Sequence, residues 1–80
     1  MDVRKRIGLN LKRLRADRKI TQEDFATDSG IDRGYLSGVE RGVRNPSALV
    51  LERLAKALKV DVMALFDLQA ATDFARKQER

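Results

Sequence analysis

In this 80-residue chain, Arg33, Gly34, Ser37, Gly38 and Arg41 recur at three- and four-residue spacing, so on a helix they share one side. Leu36, Val39 and Glu40 then take the other side, at i, i+3 and i+4. Each interior glycine costs about 1 kcal/mol of helix propensity relative to alanine, so a face that keeps two is suited to close approach to another surface. If that surface is a DNA major groove, an arginine near the helix start reaches the O6 and N7 of guanine, and a serine bonds a base edge or a phosphate. Tyr35 flanks the same side, where its phenol reaches a phosphate or packs on a preceding helix.

Other chemistries lack their residues. The sequence has neither histidine nor cysteine. Ser37 therefore has no imidazole to activate it, and neither a disulfide nor a zinc site can form. No Gly-rich phosphate loop or group of carboxylates appears, so the reading is a non-enzyme with no catalytic residues, no metal and no cofactor. The surplus is cationic: 17 Lys and Arg face 12 Asp and Glu, a net charge of +5, with an isoelectric point near 10.1. That balance suits nucleic acid or an anionic surface. Eight of the bases, against two acids, fall in the first twenty residues, which predicts a basic first helix. With one tyrosine and no tryptophan there is no platform for stacking RNA bases, which leaves double-stranded DNA as the better fit. The longest apolar run, Val62 to Phe66, is far short of the roughly 20 residues of a bilayer span, and no signal-peptide core follows the N-terminus. A cytoplasmic protein with no membrane partner is expected.

The helices that hold the polar face in place follow from punctuation. Apolar residues make up 42% of the chain, enough for one small core. Val3, Ile7, Leu11 and Leu14 form the stripe of a first helix. Thr21 caps a second, with Asp24 three residues on and Ile20 stapled to Phe25; Asp32 caps a third, with Ile31 and Leu36 in the same relation. Gly30 between them suits a left-handed residue that ends one helix and turns the chain into the next, which is a helix-turn-helix signature. The third helix closes at Gly42. Asn45 and Pro46 supply a cap and first-turn proline for a fourth, striped by Leu51, Leu54, Ala55 and Leu58. Asp61 caps a short fifth helix carrying Val62, Leu65 and Phe66, and Leu68 to Arg80 reads as a short sixth helix or a frayed tail. The prediction is an all-α fold of five helices with a C-terminal extension, divided as 1–66 and 67–80. Arg15, four residues after Leu11, and Glu40, four after Leu36, both face inward and are expected to pair.

Ile7-Gly8 to Arg15, Thr21-Gln22-Glu23 to Ala26, Ser29-Gly30-Ile31 and Glu40-Arg41-Gly42 to Asn45-Pro46-Ser47 fall in one register. In that order the sequence resembles the lambda-repressor and Cro type of helix-turn-helix regulators, from about Arg4 to Phe66. Leu11-Lys12-Arg13-Leu14-Arg15, Ser29 to Arg33 and Gly42-Val43-Arg44-Asn45-Pro46 look like the controller proteins of restriction-modification systems. The resemblance implies a homodimer built largely through the fifth helix, with Val62, Leu65 and Phe66 at the seam and Leu68 beside them. It implies a recognition helix from Arg33 to Arg41, with Asp32, Arg33, Gly34, Ser37 and Gly38 at base-reading positions. Gln22 would contact the DNA backbone and brace that helix, Arg44 and Asn45 would grip phosphates, and Arg15 with Glu40 matches a structural ion pair.

Three residues depart from the pattern. Gly34 stands where relatives carry a polar side chain, Lys59 replaces the glycine that ends the fourth helix, and Ala48 takes the place of a leucine, with Leu49 displaced outward. The function expected is a sequence-specific transcriptional regulator on a roughly palindromic operator, read partly through DNA shape because few side chains face the bases. The alternative is an antitoxin-type interaction module with secondary DNA binding, for which Leu49, Leu68 and Phe74 are the surface available to a protein partner.

Overall fold

A computed structural model describes residues 1–79. Its helices are α1 (Val3–Asp17), α2 (Gln22–Ser29), α3 (Arg33–Glu40), α4 (Ala48–Leu58), a 3-10 helix (Val62–Phe66) and α5 (Leu68–Gln78). Each start carries a side-chain cap. Asp2, Thr21, Asp32, Ser47, Asp61 and Asp67 accept from the backbone N–H of Arg4, Asp24, Tyr35, Val50, Met63 and Ala70. The expected caps at Thr21, Asp32 and Asp61 are therefore in place, and Gly30 ends α2 in the left-handed conformation at φ 70°. None of the described helices is long and apolar enough to cross a membrane.

Two elements differ from expectation, and the extension takes the first of its two expected forms. α4 is capped by Ser47, whose Oγ accepts from Val50 N at 3.2 Å, and not by Asn45 with Pro46 in the first turn. Pro46 precedes the cap and is buried. The fifth helix is 3-10, closed by an i to i+3 bond from Ala64 N to Asp61 O at 2.9 Å, because Asp67 caps a new helix before an α-helical segment can establish itself. The extension is a regular eleven-residue helix packed against α1, with Ala71 fully buried. Arg80 lies outside the described residues.

α1 is the central rod, packed against α3, the 3-10 helix and α5, while α2 bridges α3 and α4. The core between them is filled by Leu11, Phe25, Leu36, Val39, Leu54, Leu58 and Leu65. Leu65 is thus a correction: expected at a dimer seam, it has no exposed surface, because the 3-10 helix turns it under α1 and α4. Asn10, also fully buried, holds this arrangement. Its Nδ2 donates to the carbonyls of Leu65 and Asp67, each at 3.0 Å, and its Oδ1 accepts from Arg13 Nη2 at 3.1 Å. Gly8 lets α1 lie directly on the end of α3. A Cβ there would sit 2.7 Å from the Val39 carbonyl oxygen and closer still to that of Glu40.

Candidate nucleic-acid interface

The polar face is built on the turn between α2 and α3. Gly30 reverses the chain, Ile31 N bonds Ala26 O at 3.1 Å, and Arg53 Nη2 from α4 donates to Gly30 O at 2.8 Å. The turn is thereby fixed to the body on one side. On the other, Leu36 and Val39 sink into the core and set the rotation of α3. Arg33 and Gly34 are exposed, as the helical spacing predicted, and Ser37 is half-buried.

Glu40 anchors the far end of α3. Its carboxylate, 1% exposed, accepts two bonds from Arg15, Nε to Oε2 and Nη2 to Oε1, both at 2.9 Å, so the expected pair is present and bidentate. Arg15 Nη1 also donates to Ile20 O at 3.1 Å, and Gln22 Nε2 reaches Glu40 Oε1 at 3.1 Å. One carboxylate therefore joins the end of α1, the first residue of α2 and the last residue of α3. Gln22 braces α3 through this contact, and its amide oxygen has no bond among the described residues.

Two expected contributions to this face are placed differently. Gly38 is buried, because the stem of Arg44 lies across it: a Cβ at Gly38 would fall 2.6 Å from Arg44 Cγ. The bare spot therefore receives a side chain from the following loop and is not open to an approaching surface. The basic first helix does not present one cationic face either. Arg13 bonds Asn10, Arg15 bonds Glu40, and Arg18 caps the end of α4 through Leu58 O at 3.0 Å. Only its N-terminal end, Lys5 included, adjoins the α3–α4 loop, where Lys5 Cα would lie 3.1 Å from a Cβ on Gly42. There the Arg4 side chain, and then its backbone N–H, bond the Asp2 carboxyl and hold it below the ordinary aspartate range.

Around α3 the remaining polar groups are accessible. Asp32, Arg41, Arg44 and Asn45 are exposed, and Tyr35 is half-buried with its ring 5.9 Å from Arg44 Cζ. Arg33 Nη1 lies 3.6 Å from Glu23 Oε2 in an exposed pair, a contact worth at most about 1 kcal/mol and readily exchanged for a stronger acceptor. At the 3-10 helix and the start of α5, Val62 and Phe66 pack partly against the core, Leu68 is exposed, and Met63 is 70% exposed beside them. Met63 was not singled out from sequence, although its position inside the Val62 to Phe66 apolar run was the available signal. Leu49 is 72% exposed, on the outer face where it was expected, and Phe74 is half-buried with Arg13 and Asp17 of α1 beside it. Asn10, Arg18 and Arg53 were likewise missed, since their partners are backbone carbonyls brought close only by the fold.

A family model described as helix-turn-helix matches residues 11–65. The HTH-type transcriptional regulator y4dJ of Sinorhizobium fredii is 42% identical over 77 residues, covering 96% of this chain and 100% of that protein. Among solved structures, the restriction-modification controller protein C.AhdI of Aeromonas hydrophila is 41% identical with a TM-score of 0.76, over 79% of this chain and 96% of that one. The controller protein C.Esp1396I, solved as a tetramer on its natural 35 base-pair operator, is 31% identical with a TM-score of 0.77, over 94% of this chain and 97% of that one.

Proposed function

The chain belongs to this helix-turn-helix family, and from that premise we propose that it is a sequence-specific regulator of transcription, acting by binding DNA and not by catalysis. Two copies set their α3 helices into successive major grooves about 34 Å apart on a roughly palindromic operator. The observation that carries the reading is the division of α3, with Leu36, Val39 and Glu40 locked into the protein and Arg33, Gly34 and Ser37 left on the outside. In this role Arg33 reads guanine, Ser37 bonds a base edge or phosphate, and Asp32 and Gly34 line the same edge of the groove. Gln22, Tyr35, Arg41, Arg44 and Asn45 hold phosphates on either side and supply most of the affinity.

Residues 1–66 carry the DNA-binding domain and 67–80 extend it. The homodimer forms through Val62, Phe66, Leu68 and Met63, which lie together at the 3-10 helix and the start of α5. The controller proteins among the matches favour control of a restriction-modification system, which neighbouring methyltransferase and endonuclease reading frames would support. The direct test is titration of a labelled duplex, enriched by the protein from a randomised pool, at several salt concentrations. Binding is expected to weaken steeply with salt, and Arg33→Ala to cost about 1–3 kcal/mol while relaxing selectivity at one base pair per half-site. An equal loss on enriched and scrambled duplexes overturns the assignment of Arg33.

A further inference from the structure

Gly38 and Gly34 lie one turn apart on the same side of α3, yet their surroundings differ. A Cβ at Gly34 would meet only Asp32 Oδ2, at 3.2 Å. At Gly38 it would meet the Arg44 side chain at three atoms, Cγ at 2.6 Å, Nε at 3.3 Å and Cδ at 3.5 Å. Beyond that stem the Arg44 guanidinium reaches the flank of Tyr35, whose ring is packed against the core. The loop carrying Arg44 is fixed at its start as well: Gly42 turns at φ 77°, and Val43 N donates to Gly38 O at 3.0 Å. Among the described residues, none of the ion pairs includes Arg44. Its cation is oriented by a glycine below and an aromatic ring beside it, and its charge is left for an outside anion.

We propose that Gly38 is a positioning residue for DNA binding: its missing side chain is the seat on which Arg44 lies, so that the guanidinium is carried along α3 to the duplex. The inference rests on the DNA-binding reading above, and it replaces direct approach of DNA to Gly38 as the reason for a glycine there. Arginine suits the seat because its planar, always charged head stacks and forks while its stem lies flat. Any Cβ at position 38 lifts that stem and moves the head away from the ring.

The test is a double-mutant cycle on the duplex enriched by the wild-type protein, with thermal unfolding of each variant alongside. Gly38→Ala is expected to bind about tenfold more weakly, the scale of one lost guanidinium contact, while its melting temperature holds or rises because alanine is the better helix former. Arg44→Ala is expected to lose a similar factor, and both variants to lower the salt slope by about one. Gly38→Ala in the Arg44→Ala background, where the crowding is gone, is expected to bind no worse than Arg44→Ala alone. Wild-type affinity for Gly38→Ala overturns the proposal, as does an undiminished loss when Arg44 is already alanine, since DNA itself would then be approaching Gly38. Failure of the wild-type protein to enrich any duplex is a separate result that removes the DNA-binding reading before Gly38 is tested.

Discussion

Replacing Arg15 by alanine exposes how the fold and the polar face share one support. The substitution removes two charge-assisted bonds to Glu40, each 2.9 Å long, and one to Ile20 O, leaving the carboxylate with Gln22 as its only side-chain partner among the described residues. Glu40 is 1% exposed, so water cannot readily take the place of the guanidinium. Stranding one member of a buried pair costs about 3–5 kcal/mol, whereas an exposed pair is worth at most about 1. A domain of this length has roughly 4–12 kcal/mol of total stability, so Arg15→Ala should consume a large share of it. At about 4–8 °C per kcal/mol for a chain of this size, the melting temperature should fall by at least about 12 °C. Urea unfolding followed by far-ultraviolet circular dichroism gives the same quantity in free-energy units. The double variant Arg15→Met, Glu40→Leu removes both charges and is expected to recover most of the loss, since apolar replacement of a buried pair is often neutral or better. It still loses DNA affinity, because Gln22 no longer has the carboxylate that holds it. A loss below about 1 kcal/mol in Arg15→Ala would refute the burial argument, and undiminished DNA binding by the stable double variant would refute the bracing of Gln22.

Gly8→Ala should prevent folding at ordinary temperatures, because the added Cβ meets the backbone of Val39 and Glu40, which cannot yield as a side chain can; Gly34→Ala, where the Cβ meets the Asp32 cap oxygen at 3.2 Å and helix propensity offsets the crowding, should stay within about 1 kcal/mol of wild type, and thermal unfolding separates the two. Asn10→Ala removes both bonds to the Leu65 and Asp67 carbonyls and should cost about 1–3 kcal/mol for the buried Leu65 acceptor left unpaired, and less for the part-buried Asp67 acceptor. Amide exchange should then quicken in α5 well before α3. Lys59→Gly should stabilise the chain by about 0.5–1 kcal/mol, the left-handed penalty at φ 59° less the chain entropy that glycine adds, and a lowered urea midpoint would contradict this.

What could be read from the residues in order is whatever local chemistry decides. Thr21 and Asp32 cap because an oxygen sits three residues before an unbonded N–H, and Gly30 turns because few other residues adopt its φ. The inward pairing of Arg15 with Glu40 was equally legible, since two charges on apolar stripes have few other ways to be satisfied. The misplacements arose where two local solutions compete or where the partner is distant in sequence. Asn45-Pro46 and Ser47 are both plausible starts for α4, and packing that buries Pro46 selects the second. Leu65 and Phe66 are indistinguishable by composition, yet the 3-10 rotation buries one wholly and the other in part. Gly38 looked open because helical periodicity assigns a face to every residue but cannot anticipate that Arg44, six residues on, returns to cover it.

The arginines make the same point about charge. Arg13, Arg15 and Arg18 share the basic N-terminal stretch with Lys5, but each has an acceptor inside the protein. A chain with a small core and no disulfide uses Arg15 and Arg18 as ties between helices and Arg13 as a brace within α1, roles that net charge cannot distinguish from cations directed at a partner. The consequence falls on α3, which at eight residues is too short to persist as an isolated helix. It holds its shape because Asp32 caps its start, Arg53 fixes the turn before it, Leu36 and Val39 anchor its middle, and Glu40 ties its end to α1 and α2. Apart from the Asp32 cap, whose Oδ2 lies beside Gly34, those contacts lie on the side away from Arg33, Gly34 and Ser37. The recognition face can therefore change its side chains with little effect on stability, whereas a change in any of its supports alters stability and orientation together.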